Sequence, residues 1–408
     1  MRILLVNKFW YPKGGVEIHC FWVQEMFEKL GHEVIPFAMA DEQNVPSPAS
    51  DYFPSTVEFR GGGISERLRS AGRATFGMQT VRNLDRLLRD QHIDAAHVVH
   101  GYHQLGTSFL RLLERRGVPT VLSLHDYKLG CPSYRLFDDH RQVICTKCID
   151  HRTGFLWAPA ATGCWDDSRA GGLLLGAEAL VTKMTRAYVR GPGAVIILNE
   201  VQRRVVQSAG VDPAKVHKVI HAVEVEAPPT AARDDHALFV GRLAVEKGVA
   251  DAIEACARVG MRLVVLGEGP LRATLEELAQ ERGADVEFRG QVSQDEVLDE
   301  MRRARLLLVP SLWHEVLALV IVQAIAANLP VVATEAGGNP DLLGDGRGFL
   351  YPPGDVAALT ATLAAIACDP ACATAAAQAA ATWAKTELTE ERWIDRMRAV
   401  YATVGCTL

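Results

Sequence analysis

The sequence predicts an α/β protein of two doubly wound, parallel-sheet domains. Three observations lead there. Short continuous apolar runs at 2–7, 194–198 and 305–309 lack the alternation of a half-exposed sheet, as strands covered on both faces do. Strand-like and helix-like segments alternate through both halves of the chain, without an evident sequence repeat. At 408 residues the chain is long for one core and comfortable for two, and 49% apolar residues can fill both.

Composition narrows the function. A net charge of -6 argues against general nucleic-acid binding. No run of about 18 uncharged apolar residues occurs, so no span of a membrane is expected. The opening residues MRILLVNKFWYPKGG fit a first strand and loop better than a signal peptide, which makes the expected location cytoplasmic. Disulfides are not expected among the nine cysteines in that compartment.

After the first strand, a loop brings Gly14 and Gly15 to the start of a helix ending near residue 30, and GHEV turns into a second strand. Adjacent glycines let backbone N–H groups approach a ligand, although an ordinary turn has the same composition. Residues 60–90 interleave arginines with apolar positions, as a solvated helix face does, or a surface that meets anionic lipid or an anionic acceptor. Strands at 95–100 and 118–124 follow. The second delivers His125 and Asp126 at its carboxyl end, where ligands of such sheets gather. A helix over 171–190, a strand at 194–198 and a helix to residue 209 complete the half. The PPTAARDD run at 228–235 is the linker by composition. The expected domains are therefore 1–225 and 226–385, with a last helix at about 386–405.

Within the first half, Cys131, Cys145, Cys148 and Cys164 are separated by 13, 2 and 15 residues. A C-x-x-C pair with two further thiols suits a structural tetrahedral zinc; an iron–sulfur cluster and four buried free thiols are the alternatives. Segment 131–169 looks poor in regular structure, so a metal would offset the ordering entropy of a long loop.

The second half opens with a strand and the loop GRLAVEKG at 241–248. Arg242 and Lys247 then stand at a strand end, where two fixed cations suit a diphosphate and two solvated surface cations are the plain alternative. Strands over 262–270, with Gly267 in its GEGP loop, and 286–292 come next. Residues 310–343 combine the end of a strand, a loop with Glu315, a buried helix over about 317–328, a strand at 330–333 and a Gly-Gly loop into another helix. Open N–H groups near Ala318 and Leu319 make that helix start a phosphate seat, and Gln323 lies two turns on from Glu315 on roughly the same face. A loop at 348–355 and an Ala-rich helical stretch over 356–385 precede the last, amphipathic segment.

The string G-R-L-x-x-E-K-G and the 310–343 stretch resemble the signature of family 4 of the retaining, GT-B-fold glycosyltransferases. The resemblance runs over almost the whole chain, and a subset of bacterial members has a similar HDY…CP…CxxC…C insertion. It implies two Rossmann-like domains facing a central cleft, with the C-terminal helix crossing back to the first. It implies transfer, with retention and without a catalytic metal, from a UDP- or GDP-linked sugar to an acceptor hydroxyl in polysaccharide, glycolipid or metabolite glycosylation. By the same resemblance Gly14 and Gly15 reach over the donor's diphosphate and sugar, and His125 contacts that sugar. Arg242 and Lys247 hold the diphosphate, Gly267 lies on the nucleotide side, Ala318 and Leu319 seat phosphate, and Glu315 works beside the sugar.

Two positions depart from the pattern. The family's second Glu, on the ribose hydroxyls, is here Gln323, and its Gly soon after the first Glu is Ala318. An amide offers the ribose diol one acceptor and one donor group, so donor binding is expected to weaken by about 1 kcal/mol. A nucleotide-sugar-binding scaffold that has lost transfer is therefore the second reading, and a phosphorylase or epimerase of the same fold the third.

Overall fold

A computed structural model of the chain describes residues 1–55, 77–101, 105–164, 168–228 and 233–408. Two six-stranded sheets form its frame. The first comprises β1 (Arg2–Val6), β2 (Glu33–Phe37), β3 (Ala95–Val98), β4 (Thr120–Ser123), β7 (Ala194–Ile197) and β8 (Val216–Lys218), in the order β2-β1-β3-β4-β7-β8. The second comprises β9 (His236–Val240), β10 (Arg262–Leu266), β11 (Val286–Gly290), β12 (Leu306–Val309), β13 (Val331–Thr334) and β14 (Phe349–Tyr351), in the order β11-β10-β9-β12-β13-β14. All pairings in both sheets are parallel. Apart from the end residues Arg2, Val240 and Arg262, the central strands are buried, which is why they appear in sequence as apolar runs. In each sheet the order reverses at an inner strand, and the crevice at such a point is where α/β proteins bind ligands.

The last helix, Glu390–Thr403, belongs to the first domain's core. Trp393, Met397, Val400 and Tyr401 are buried there, and the Tyr401 hydroxyl lies 3.1 Å from Nδ1 of His97 on β3. The crossing-back expected of it is thus observed.

Several local expectations need correction. Segment 131–169 is not an irregular loop. It holds a hairpin of β5 (Phe137–Asp138) and β6 (Val143–Ile144), a short helix Lys147–Asp150 and the helix Gly154–Thr162. Residues 348–355 are not all loop, since β14 adds an edge strand beside β13. The Ala-rich stretch is two helices, Val356–Cys368 and Pro370–Glu387. They break where Pro370 has no N–H to continue the first and Asp369 caps the second through Ala371 N–H. The buried helix is shorter than expected, Leu319–Ala326, and ends where Asn328 takes a positive φ of 52°. Residues 56–76 of the Arg-rich region and 229–232 of the linker lie outside the described residues. Arg233, at the linker's end, is anchored: its guanidinium donates to the carbonyls of Met301, Ala304, Ala327 and Asn328. Among the described residues no single helix is long and apolar enough to cross a membrane.

Candidate functional site

The cleft site grows from the carboxyl ends of β9 and β12. After β9 the chain makes a turn, Val245–Lys247, and closes it with Gly248 at φ +64°. A Cβ at 248 would lie 1.9 Å from the Pro310 carbonyl oxygen, so only glycine lets this turn rest on the end of β12. Glu246 O accepts from Leu312 N–H at 2.8 Å across the same contact. Lys247 is thereby carried over the loop after β12, where its Nζ pairs with Glu315 Oε1 at 2.7 Å.

Glu315 is buried, and its surroundings are built for a charged carboxylate. The Ser311 hydroxyl donates to the same oxygen at 2.7 Å. Burial by itself raises the carboxyl's pKa, but the Lys247 ammonium and its hydrogen bond, with help from Ser311, outweigh it and hold the group below its ordinary range. The Glu315 carbonyl is fixed as firmly. It accepts from Gly338 N–H at 2.7 Å and from the Tyr127 hydroxyl at 3.1 Å. A Cβ at Gly337, whose φ is +63°, would fall 1.9 Å from that carbonyl oxygen, which accounts for the Gly-Gly pair at 337–338.

Tyr127 comes from the other domain, two residues after His125. Asn199, which caps the helix Glu200–Ser208, donates to the Tyr127 hydroxyl at 3.2 Å and to the Val316 carbonyl at 2.6 Å. Lys218 on β8 pairs with Asp341, and Arg135 reaches Glu246 at 3.7 Å. First-domain polar groups thus clasp the very loop that carries Glu315. None of Tyr127, Asn199, Ser311 or Lys218 was singled out from the sequence. Tyr127 had the best signal, standing beside His125 and Asp126 at the end of a predicted strand.

The remaining expected residues arrive as follows. Gly14 caps the helix Gly15–Lys29, and a Cβ on Gly15 would come within 3.0 Å of the Leu319 side chain, so this loop crosses the cleft to the start of the Leu319–Ala326 helix. Ala318 is the cap of that helix at φ -72°, a conformation its methyl group tolerates. The N–H groups of Leu319 and Val320 have no partner inside the helix, whereas those of Ile321 and Val322 turn back on the Ala318 carbonyl at 2.8 and 3.3 Å. Arg242 is exposed and forms no ion pair among the described residues. Gly267 ends β10 with its N–H on the Gly290 carbonyl at 2.7 Å. Gln323 is half-buried, and no side-chain hydrogen bond joins it to another described residue.

His125 sits just beyond β4 among other imidazoles. His19 and His221 stack with centroids 3.5 Å apart, and His125 lies 5.1 Å and 5.9 Å from them. Burial pushes His125 down to about 4, and burial together with the neighbouring His125 pushes His97 and His221 to about 3. These rings are neutral near pH 7, so His125 is suited to orienting a hydroxyl and unsuited to taking its proton.

The four cysteines do gather in one module, and neighbouring thiols raise one another's pKa after burial itself. Among the described residues no three His, Cys, Asp or Glu side chains stand in a geometry to hold a metal ion. Cys131 Sγ is engaged with Ser133 Oγ at 3.3 Å, and Cys148 packs as an apolar side chain with Phe155 and Ala158. All nine cysteines are free thiols.

Two parallel-sheet α/β domains, with the buried Lys247–Glu315 pair carried at strand ends of the second and clasped by the first, define a GT-B architecture. Comparison with known proteins agrees. The family model for Glycosyltransferase Family 4 matches residues 13–227, and that for Glycosyl transferases group 1 matches 224–383. Glycogen synthase of Mycobacterium tuberculosis is 25% identical over 397 residues, covering 91% of this chain and 87% of that protein. The 2-deoxystreptamine glucosyltransferase of Streptomyces kanamyceticus is 36% identical over 157 residues, covering 36% of this chain and 40% of that one. Among solved structures, sucrose-phosphate synthase from Thermosynechococcus elongatus superposes with a TM-score of 0.71 at 19% identity over 99% of both chains. Anabaena HepE in complex with UDP does so at 0.67 and 16%, covering 99% of this chain and 100% of that one. The chain belongs to the glycosyltransferase family that these two models describe.

Proposed function

We propose that this enzyme moves a sugar from a nucleotide-diphosphate donor to an acceptor hydroxyl, with retention at the anomeric carbon and without a catalytic metal. The observation that carries the reading is the Lys247–Glu315–Ser311 group, with Arg242, unpaired among the described residues, in the same loop as Lys247, and with the Leu319 and Val320 N–H groups open at the start of the Leu319–Ala326 helix. The barrier to such a transfer is charge separation. The diphosphate leaves as an anion while the sugar gains oxocarbenium character. Arg242, Lys247 and the helix N–H groups would stabilise the leaving group in place of a divalent cation. Glu315, held ionised, would bind sugar hydroxyls and stabilise the positive centre. The acceptor proton would pass to a leaving phosphate oxygen, because the neutral His125 is a poor base at its depressed pKa. Gly14 and Gly15 would close over the diphosphate, and Gln323 would meet the ribose.

Relatives that build glycans or glycosylate small molecules, among them the glycogen synthase and the 2-deoxystreptamine glucosyltransferase, support a saccharide, glycolipid or metabolite acceptor. The test is thermal unfolding against UDP-, GDP-, dTDP- and ADP-sugars in chelator, followed by transfer assays with anomeric analysis of the product. A ligand at about 100 times its Kd adds roughly 2.7 kcal/mol of stability. A shift with one nucleotide class, and a product of retained configuration without Mg²⁺, is expected; an inverted product or a Mg²⁺ requirement overturns the mechanism. Gln323 favours one second reading, a donor-binding scaffold. It predicts a nucleotide-dependent shift with no transfer to any acceptor.

A further inference from the structure

The helix Arg169–Thr185 is amphipathic in the wrong sense for a surface helix. It packs against the helix Gly154–Thr162 through small residues. A Cβ on Gly172 would lie 2.2 Å from the Pro159 carbonyl oxygen, and one on Gly176 3.0 Å from that of Leu156. Leu175 is buried on this inner side. The outer side carries Leu173, Ala177, Leu180 and Met184, spaced by four, three and four residues so that they line one stripe. Leu173 is 62% exposed and Met184 75%, and Leu174 and Leu180 flank them; Trp157, 46% exposed, extends the face onto the partner helix.

No charged residue interrupts this face between Leu173 and Met184, and exposed cations flank it, Arg169 before Leu173 and others beyond Met184. Glu178 is turned aside into a pair with Lys128 at 2.9 Å, and Lys183 lies over the Phe155 ring at 4.2 Å. The exposed cations Arg186 and Arg190 follow the helix, while Arg152 precedes the partner helix, which runs antiparallel and so brings it to the same end. Asp150, the exposed acid beside that turn, is paired with Arg204 at 3.4 Å. An uncharged apolar stripe about 17 Å long, an exposed tryptophan and a basic rim are the elements of a helix that lies in the plane of a lipid interface. The net charge of -6 makes that rim local rather than general.

We propose that this helical pair docks the protein on an anionic bilayer surface. The apolar stripe enters the headgroup–acyl boundary, and Arg152, Arg186 and Arg190 contact lipid phosphates. Lys128 follows the His125–Tyr127 stretch, so the Lys128–Glu178 pair ties the docking helix to the first-domain wall of the cleft. The bilayer would then lie beside that wall.

The test uses the full chain with vesicles of phosphatidylcholine alone and of phosphatidylcholine with phosphatidylglycerol, read by flotation. Partition into the anionic vesicles is expected, weakened in about 0.5 M salt because a Debye length near 4 Å screens the rim. Burying one leucine-sized side chain is worth roughly tenfold or more in partition. The variant Leu173→Ser/Leu180→Ser/Met184→Ser should therefore lose at least a hundredfold, and Arg186→Glu/Arg190→Glu should lose the preference for anionic lipid. All these side chains are exposed, so the thermal midpoint and nucleotide-sugar binding should stay unchanged, which separates this result from failure of the catalytic reading. Absence of partition, or equal partition by the triple-serine variant, overturns the proposal. So does a concentration-dependent dimer that the same variant returns to monomer, since the face would then belong to a second copy.

Discussion

Replacing Lys247 by methionine isolates the electrostatics of the site. In the native protein Glu315 has its pKa lowered, because the lysine and Ser311 outweigh burial. Its contribution to stability is therefore present above the ordinary carboxylate range and is lost as pH falls through the folded value. Methionine keeps the aliphatic stem and removes the charge. Burial then dominates and the carboxyl shifts upward, so the folded state must either hold an uncompensated anion or take up a proton. Breaking a buried ion pair on one side costs roughly 3–5 kcal/mol. The Lys247 side chain is 26% exposed and Ser311 remains, so solvent and one hydrogen bond soften the loss. About 2 kcal/mol at pH 8 is the expected cost. Urea unfolding of the wild type, Lys247→Met, Glu315→Gln and the double variant, at pH 8 and near pH 4.5, measures it. The cost should shrink at the lower pH and nearly vanish in the Glu315→Gln background. An equal cost in both backgrounds would refute the argument, since Lys247 would then stabilise by packing and not through Glu315.

Four further outcomes follow from the geometry. His97 and His221 are held neutral by burial, with folded pKa values of about 3, while the unfolded chain protonates them near 6.5. Stability is full above that value and falls with pH below it, by about 1.4 kcal/mol for each ring at pH 5.5; a flat urea midpoint between pH 7.5 and 5.5 would contradict their burial. Tyr127→Phe removes the hydroxyl bridging Asn199 and the Glu315 carbonyl and should cost about 1–2 kcal/mol, with donor KM rising more than kcat falls; unchanged kinetics and stability would show the clasp to be incidental. Arg242→Ala, with no partner to lose, should change stability by less than about 0.5 kcal/mol while weakening donor binding, as titration calorimetry would register. Gln323→Glu should retain or tighten nucleotide binding, and a large loss would place the ribose elsewhere.

The frame was legible because its signals are local. The strand at 305–309, the helix at 249–259 and the Arg242–Lys247 loop owe their character to burial on both faces, to helical periodicity and to glycine-bounded turns, all of which leave a mark within ten residues. The errors arose where tertiary contacts decide. The edge strand at 349–351 is too short to announce itself and forms because β13 offers it a partner. The helix Gly154–Thr162 exists because Gly172 and Gly176 give it a surface to pack on, although it carries Pro159.

Sequence by itself thus determined two parallel sheets, the strand ends at which a site could form, and the identity of its charged residues, because alternation, apolar runs and Gly-flanked loops are properties of neighbours along the chain. Tertiary structure alone decided which groups act on which. It set Lys247 against Glu315 across 68 positions, brought Tyr127 onto the Glu315 carbonyl from 188 positions away, and stacked His19 on His221. It also turned Leu173, Leu174 and Leu180 of the Arg169–Thr185 helix outward while burying Leu175. Burial and pairing energies belong to spatial neighbours, and no window along the chain contains them.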